Sequence, residues 1–254
     1  MTEELSLNEK LRLRMRVKAP TIIHFSWTGI IPALKKRNID FVVIEMEHNF
    51  FDWRDMEGLL RMCNMVGLTA VVRVPDIGYS HISKVLDLGA DGVLIPRIET
   101  LAQLEKVIEY TRLPPVGKKG VGGHDFSRKP LMETLANYNT SKMIFAQIES
   151  PQGIAELDSM LATKEVAGVI VGPSDLSVSM GIPMQTQDPR FIEAVQEVIR
   201  ICNKHQVSSG MFMGGKENTE FWLGQGMNIV WSGSDFGFFQ AGYSQWVTMI
   251  DGIK

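Results

Sequence analysis

Cysteine is scarce in this chain. Cys63 and Cys202 are the only two in 254 residues, they lie far apart, and neither belongs to a metal-binding or redox spacing. That excludes a disulfide-stapled scaffold or a zinc module and suits a reducing compartment with buried thiols. Long apolar runs are missing too. No stretch approaches the ~18 residues that a membrane span needs, and the first residues carry no apolar signal core, so a soluble, cytoplasmic protein without a membrane partner is expected. Charge of one sign is also lacking: 26 Lys and Arg against 29 Asp and Glu leave a formal net charge of −3. Nothing there favours a nucleic-acid partner, which would need a concentrated basic face. The one basic cluster, Arg12, Arg14, Arg16 and Lys18, alternates with Leu11, Leu13, Met15 and Val17 and follows Glu3, Glu4 and Glu9. It is expected to be a solvated helix packed on the body of the protein rather than a membrane-surface helix. Linkers and low-complexity segments are absent.

What is present is an ordinary globular composition, 44% hydrophobic and 22% charged, enough for one domain over residues 1–254 with a sizeable core. Ser6 and Glu9 form a capping box that opens an N-terminal helix within residues 1–20, ended by Ala19-Pro20. Strand and helix signals then alternate. Strands are predicted at Thr21–Trp27, Ile39–Glu45, Leu68–Val74, Gly92–Pro96, Met143–Ile148, Gly168–Val171, Val207–Met213 and Asn228–Trp231. Helices fall between them, with Phe236–Met249 after the last, while 112–141 looks irregular or broken. The strand runs are nearly continuous in Val, Ile and Phe, as expected when both faces are covered. Eight strands alternating with eight helices predict an α/β fold, the (β/α)₈ barrel. The competing doubly wound sheet lacks its G-x-G-x-x-G after the first strand.

In such a barrel, chemistry sits where strands end and helices begin. Those positions hold Glu45, Glu47 and His48, then Arg73, Pro96 and Arg97, Glu149, Ser174 and Asp175, Met213 to Gly215, and Ser232 with Asp235. Glu149 and Asp175 each close an apolar strand, and successive parallel strands would bring them side by side. Either alone could cap the helix that follows. Together they offer oxygen donors to a hard divalent cation, Mg²⁺ or Mn²⁺, with water and substrate filling the other positions. Gly172-Pro173-Ser174 lies between strand and helix, where backbone N–H groups can receive a small anion. His48 is either an ordinary surface histidine or an imidazole poised beside Glu47 to take a proton. Arg73, among valines, needs an anion: a structural partner such as Glu47, or a developing oxyanion. Asp87 has the place of a helix C-terminal residue before a Gly turn. No lysine sits inside a strand near its C-terminal end, which disfavours Schiff-base chemistry and favours metal assistance.

Several pieces of the sequence together resemble the HpcH/HpaI family of class II pyruvate aldolases, over roughly residues 20–240. They are Glu47-His48, Val72-Arg-Val-Pro75, Leu86-Asp-Leu-Gly-Ala-Asp-Gly92 leading to Pro96, Pro114-Pro115 with Gly117 and Gly120-Val-Gly122, Gln147-Ile-Glu149, and Gly172-Pro-Ser-Asp-Leu176 through Met180-Gly181. The resemblance implies a (β/α)₈ barrel assembled as a homo-hexamer, a trimer of dimers that exchange their last helix, here 235–254. It implies a divalent metal, Mg²⁺ or Mn²⁺ with Co²⁺ as a further candidate, held by Glu149 and Asp175. It places the 2-oxo acid substrate against Gly172, Pro173, Ser174 and Gln147, and gives Arg73 the enolate oxygen. It also raises Asp87 from a turn residue to the partner of a neighbouring subunit's His48, with Glu45 in the same acid/base network. The implied reaction is reversible retro-aldol cleavage of a 4-hydroxy-2-oxo acid to pyruvate and an aldehyde through a metal-bound enolate. Citrate-synthase-like or acyl-CoA lyase chemistry, or a non-catalytic metal-binding relative, are the alternatives.

Three departures from the family pattern stand out. Glu45 replaces the usual Asp, Lys119 replaces an arginine, and Arg97 replaces an apolar residue. Arg97 is expected either to select an anionic aldehyde or to pair with Glu45 or Glu99.

Overall fold

The computed structural model describes residues 5–128 and 130–253. Its eight strands are β1 (Val17–Ile22), β2 (Phe41–Glu45), β3 (Thr69–Arg73), β4 (Gly92–Ile95), β5 (Met143–Ile148), β6 (Val166–Val171), β7 (Ser208–Phe212) and β8 (Ile229–Ser234). The helices are α1 (Leu7–Arg12), α2 (Ile30–Lys35), α3 (Trp53–Val66), α4 (Tyr79–Asp87), α5 (Leu101–Thr111), α6 (His124–Arg128), α7 (Leu131–Ser141), α8 (Pro151–Ala162), α9 (Pro173–Ser179), α10 (Pro189–His205), α11 (Lys216–Gly224) and α12 (Asp235–Asp251). All strands are parallel and close into a barrel in chain order, β1 pairing with both β2 and β8. This is the (β/α)₈ architecture that the alternation predicts.

Strand periodicity sorts the side chains into two cores. Val42, Ile44, Val72, Ile95, Ile148 and Val169 face outward and pack on the helices. Their neighbours Phe41, Val43, Val71, Leu94, Phe145, Ile170 and Ile229 face inward and fill the barrel. Phe41 and Phe145 stack at a centroid separation of 6.0 Å. Leu7 and Leu11 of α1 join the inner core and close the barrel where the strands begin. Room for this packing comes from missing side chains: a Cβ on Gly210 would stand 2.2 Å from the Ile229 carbonyl oxygen.

The N-terminal segment differs from its sequence reading. Residues 1–4 lie outside the described residues, and the helix runs only over α1, not to Pro20. Arg14 adopts a left-handed φ of 51° and the chain turns into β1, four residues earlier than the predicted strand start. The apolar alternation beyond Leu11 is not one element: Leu13 and Met15 are exposed in the turn, and only Val17 enters the strand. Val17 and Ala19 are buried and Lys18 is exposed accordingly. Pro20 is tolerated because its missing N–H falls at the register shift between Ala19 and Thr21. Asp40 clamps the whole corner, accepting from Lys10 Nζ and from the Lys18 amide, both at 2.8 Å.

The broken stretch of 112–141 contains α6 and α7, and the strand-to-helix turn after β6 contains the short α9. Cys63 and Cys202 are free and buried, and burial pushes both thiols up to about 12. No helix among the described residues is long and apolar enough to cross a membrane.

Candidate active site

The inward parity that fills the barrel continues past its last apolar layer. Two residues beyond Val43 stands Glu45, two beyond Val71 stands Arg73, and two beyond Phe145 stands Gln147, followed on the same parity by Glu149. Polar groups are therefore gathered at the C-terminal mouth by strand geometry alone.

Glu45 and Arg73 are register partners on β2 and β3. Arg73 Nε donates to Glu45 Oε2 at 2.5 Å. Glu45 Oε1 accepts from the amides of Glu47 at 2.6 Å and His48 at 3.1 Å. Glu45 is completely buried, so it holds Arg73 and the loop that carries His48. Arg73 is 12% exposed, with Nη1 3.5 Å from Glu47 Oε2, so its structural pairing involves both acids. Its guanidinium lies 5.5 Å over the Trp231 ring, and Trp231 Nε1 donates to Thr21 Oγ1 at 2.7 Å. Sequence reasoning passed over Trp231 and Thr21. Inward parity at strand ends is the signal that finds them. His48 is 61% exposed at the mouth, its Nε2 3.7 Å from Glu47 Oε2. Burial raises the Glu47 carboxyl, partly offset by Arg73, His48 and Arg97.

Across the barrel, β5 and β6 bring Glu149 beside Gly172. The pairing of Ile148 with Val171 sets this register, and a Cβ on Gly172 would stand 2.1 Å from Glu149 Oε1. Glu149 accepts from the Arg97 amide at 2.9 Å and from Gln147 Nε2 at 2.5 Å. Neither acid caps a helix. Ser150 caps α8, and Gly172 begins α9, putting Asp175 in its first turn. Asp175 is exposed and its side chain makes no hydrogen bond or ion pair with any described residue. Burial, reinforced by the charges of Asp175 and Glu47 and opposed by the Arg97 amide and Arg73, pushes the Glu149 carboxyl up to about 7. The Gly172 amide is spent on the Ile148 carbonyl at 3.1 Å, and Pro173 has none. Ser174 and Asp175 thus supply the first-turn amides that have no partner inside the helix.

A hard divalent cation fits this donor set. The groups are all oxygens, the carboxylates lack a neutralising cation, and Gln147 Oε1 is buried without a donor. Among the described residues, no cluster of three or more His, Cys, Asp or Glu forms a cage. A pair of carboxylates that leaves positions to water and substrate is how a Mg²⁺-type ion is commonly held.

Asp87 is not brought to this mouth. It ends α4, which runs back along the outside of the barrel, whereas His48 follows the C-terminal end of β2. There it meets Lys119, whose buried Nζ donates to Asp87 Oδ1 at 2.6 Å. Arg97 does reach the mouth, but it pairs with neither Glu45 nor Glu99. Its Nη2 lies 3.4 Å from Glu47 Oε1. Asp235 is structural, its Oδ2 accepting from the amides of Ile23, His24 and Phe25.

The sequence model of the HpcH/HpaI aldolase/citrate lyase family matches residues 29–241. A 5-keto-4-deoxy-D-glucarate aldolase of Shigella dysenteriae is 32% identical over 206 residues, 80% of either chain. The solved HpcH/HpaI aldolase of Desulfitobacterium hafniense superposes with a TM-score of 0.90 at 26% identity, covering 99% of this chain and 98% of its own. The solved citrate synthase SbnG gives 0.86 at 25% identity, covering 98% of each. With barrel, mouth and relatives in agreement, the chain belongs to the HpcH/HpaI aldolase/citrate lyase family and is a carbon–carbon lyase.

Proposed function

We propose that this lyase cleaves a 4-hydroxy-2-oxo acid reversibly into pyruvate and an aldehyde. The observation that carries this reading is the pairing of Glu149 and Asp175, without a cation of their own, across the mouth from an arginine held rigidly by Glu45 and Glu47. Glu149 and Asp175 hold Mg²⁺ or Mn²⁺, Co²⁺ being a further candidate, and Gln147 orients Glu149. When bound, the ion supplies Lewis-acid polarisation of the 2-oxo group. The amides of Ser174 and Asp175 receive the substrate carboxylate, and Gly172, lacking a side chain, leaves room for the Glu149 carboxylate beside them. His48 accepts the C4 hydroxyl proton. The C4–O bond becomes a carbonyl, the C3–C4 bond breaks, and its electron pair passes into the enolate of pyruvate. Arg73 donates to the enolate oxygen, and a proton returned to C3 completes pyruvate. Glu45 acts through Arg73 and the His48 loop as a positioning residue.

Asp87 serves the His48 of a second copy, since its own chain holds the two at opposite ends of the barrel. The surface of the last helix supports this. Along the 17 residues of α12 only Asp235 is buried, while Phe238, Phe239, Tyr243, Trp246 and Met249 are exposed. A helix so apolar belongs against another subunit, in exchanged dimers built into a hexamer. Buried free thiols suit a reducing cytoplasm.

The likeness to a citrate synthase supports a second reading, in which the same enolate attacks a different electrophile. The deciding experiment is deuterium uptake into the methyl group of pyruvate in D₂O, with EDTA and with Mg²⁺ or Mn²⁺ restored. Metal-dependent exchange is expected. No exchange with any metal would sink the pyruvate reading.

A further inference from the structure

Arg97 is a cation that the site engages only in part, through one of its three nitrogens. It follows β4 with a left-handed φ of 51°, and its amide donates to Glu149 Oε2 at 2.9 Å. The side chain therefore starts beside the acid assigned to the metal and crosses toward β2 and β3. Both of its contacts fall on one nitrogen: Nη2 donates to the Pro75 carbonyl at 3.2 Å and stands 3.4 Å from Glu47 Oε1. Nε and Nη1 make no hydrogen bond or ion pair with any described residue, the Asp76 carboxylate feels the guanidinium only through its charge, and the side chain is 64% exposed. Arg73 is the opposite case, enclosed and committed to Glu45 and Glu47.

We infer that the Arg97 guanidinium receives an anionic group on the aldehyde half of the substrate, so that the enzyme prefers an aldehyde bearing a carboxylate to a neutral one of equal length. This rests on the aldol reading above.

Charge supports the assignment. Arg73 balances Glu45, a divalent ion balances Glu149 and Asp175, and Arg97 stands against Glu47, so a mouth without Arg97 would keep an excess of acid. A second carboxylate arriving on the substrate would be repelled unless a cation met it there. A guanidinium with unengaged N–H groups suits a planar carboxylate. A structural role alone explains less. An exposed one-nitrogen pair with Glu47 contributes little to stability, and Gly or Asn would take the left-handed turn more easily than a long cation.

The test runs the reaction toward condensation, with pyruvate and either succinic semialdehyde or butanal, which share a four-carbon chain. The wild type should favour succinic semialdehyde. Arg97→Met should lower kcat/KM for that aldehyde about 10- to 100-fold, as loss of a charge-assisted hydrogen bond does, mainly through its KM. Butanal should change far less, and Arg97→Lys should recover part of the preference. Equal losses on both aldehydes, or no preference in the wild type, would overturn the assignment. Pyruvate deuterium exchange separates the two levels. Exchange without aldehyde selectivity removes only the Arg97 role, whereas no exchange in the wild type removes the aldol reading and this inference with it.

Discussion

The two ends of the barrel interior are built from the same strands on the same parity, yet they do different work. At the closed end Phe41, Phe145 and Ile229 pack under α1, and the buried polar pair there is satisfied, Asn228 Nδ2 donating to Ser208 Oγ and Ser208 Oγ to the Leu11 carbonyl, both at 2.8 Å. One or two positions further along, Glu45, Arg73, Gln147 and Glu149 occupy equivalent inward places. The difference lies in what each end leaves unsatisfied. The closed end is complete within one chain. At the mouth, Glu45 and Arg73 satisfy each other while Glu149 and Asp175 do not, so net negative charge is held where a cation could relieve it. Site chemistry is here a remainder left by the packing that precedes it along each strand.

Phe145→Ala breaks the closed end and should destabilise the protein by about 3–5 kcal/mol, read by denaturant unfolding. The molecules that remain folded should keep their specific activity. A matching loss of kcat would mean that the two ends are coupled. Arg73→Lys attacks the mouth instead. It should cost about 10²–10³ in kcat, the usual loss for an oxyanion donor, while unfolding shifts less than in Phe145→Ala. Full activity in this variant would remove Arg73 from the chemistry. The outer helix α12 sharpens the contrast from a third side, because its apolar face is completed by neither end. Light scattering should return a mass of six chains, and Phe239→Glu should reduce it. A monomeric wild type would leave Asp87 with no His48 to serve.

Much of this was legible in the residues. Apolar runs with both faces covered gave the barrel, and the strand ends pointed to Glu149, Asp175, Arg73 and His48. The N-terminal segment was misread because its capping box opens a helix of only six residues, which the left-handed turn at Arg14 ends well before Pro20. Trp231 and Thr21 went unnoticed because their importance depends on inward parity around a closed sheet. Neither has a local signature.

By itself the sequence determined the strands, their order and the acids at their ends, since periodicity and strand-end position are local properties. Tertiary structure decided which acids are neutralised. Register puts Arg73 opposite Glu45 and Glu149 beside Gly172, the turn after β4 aims the Arg97 amide at Glu149, and the course of α4 carries Asp87 away. Those outcomes depend on distances between segments far apart in the chain, which closure of the barrel fixes.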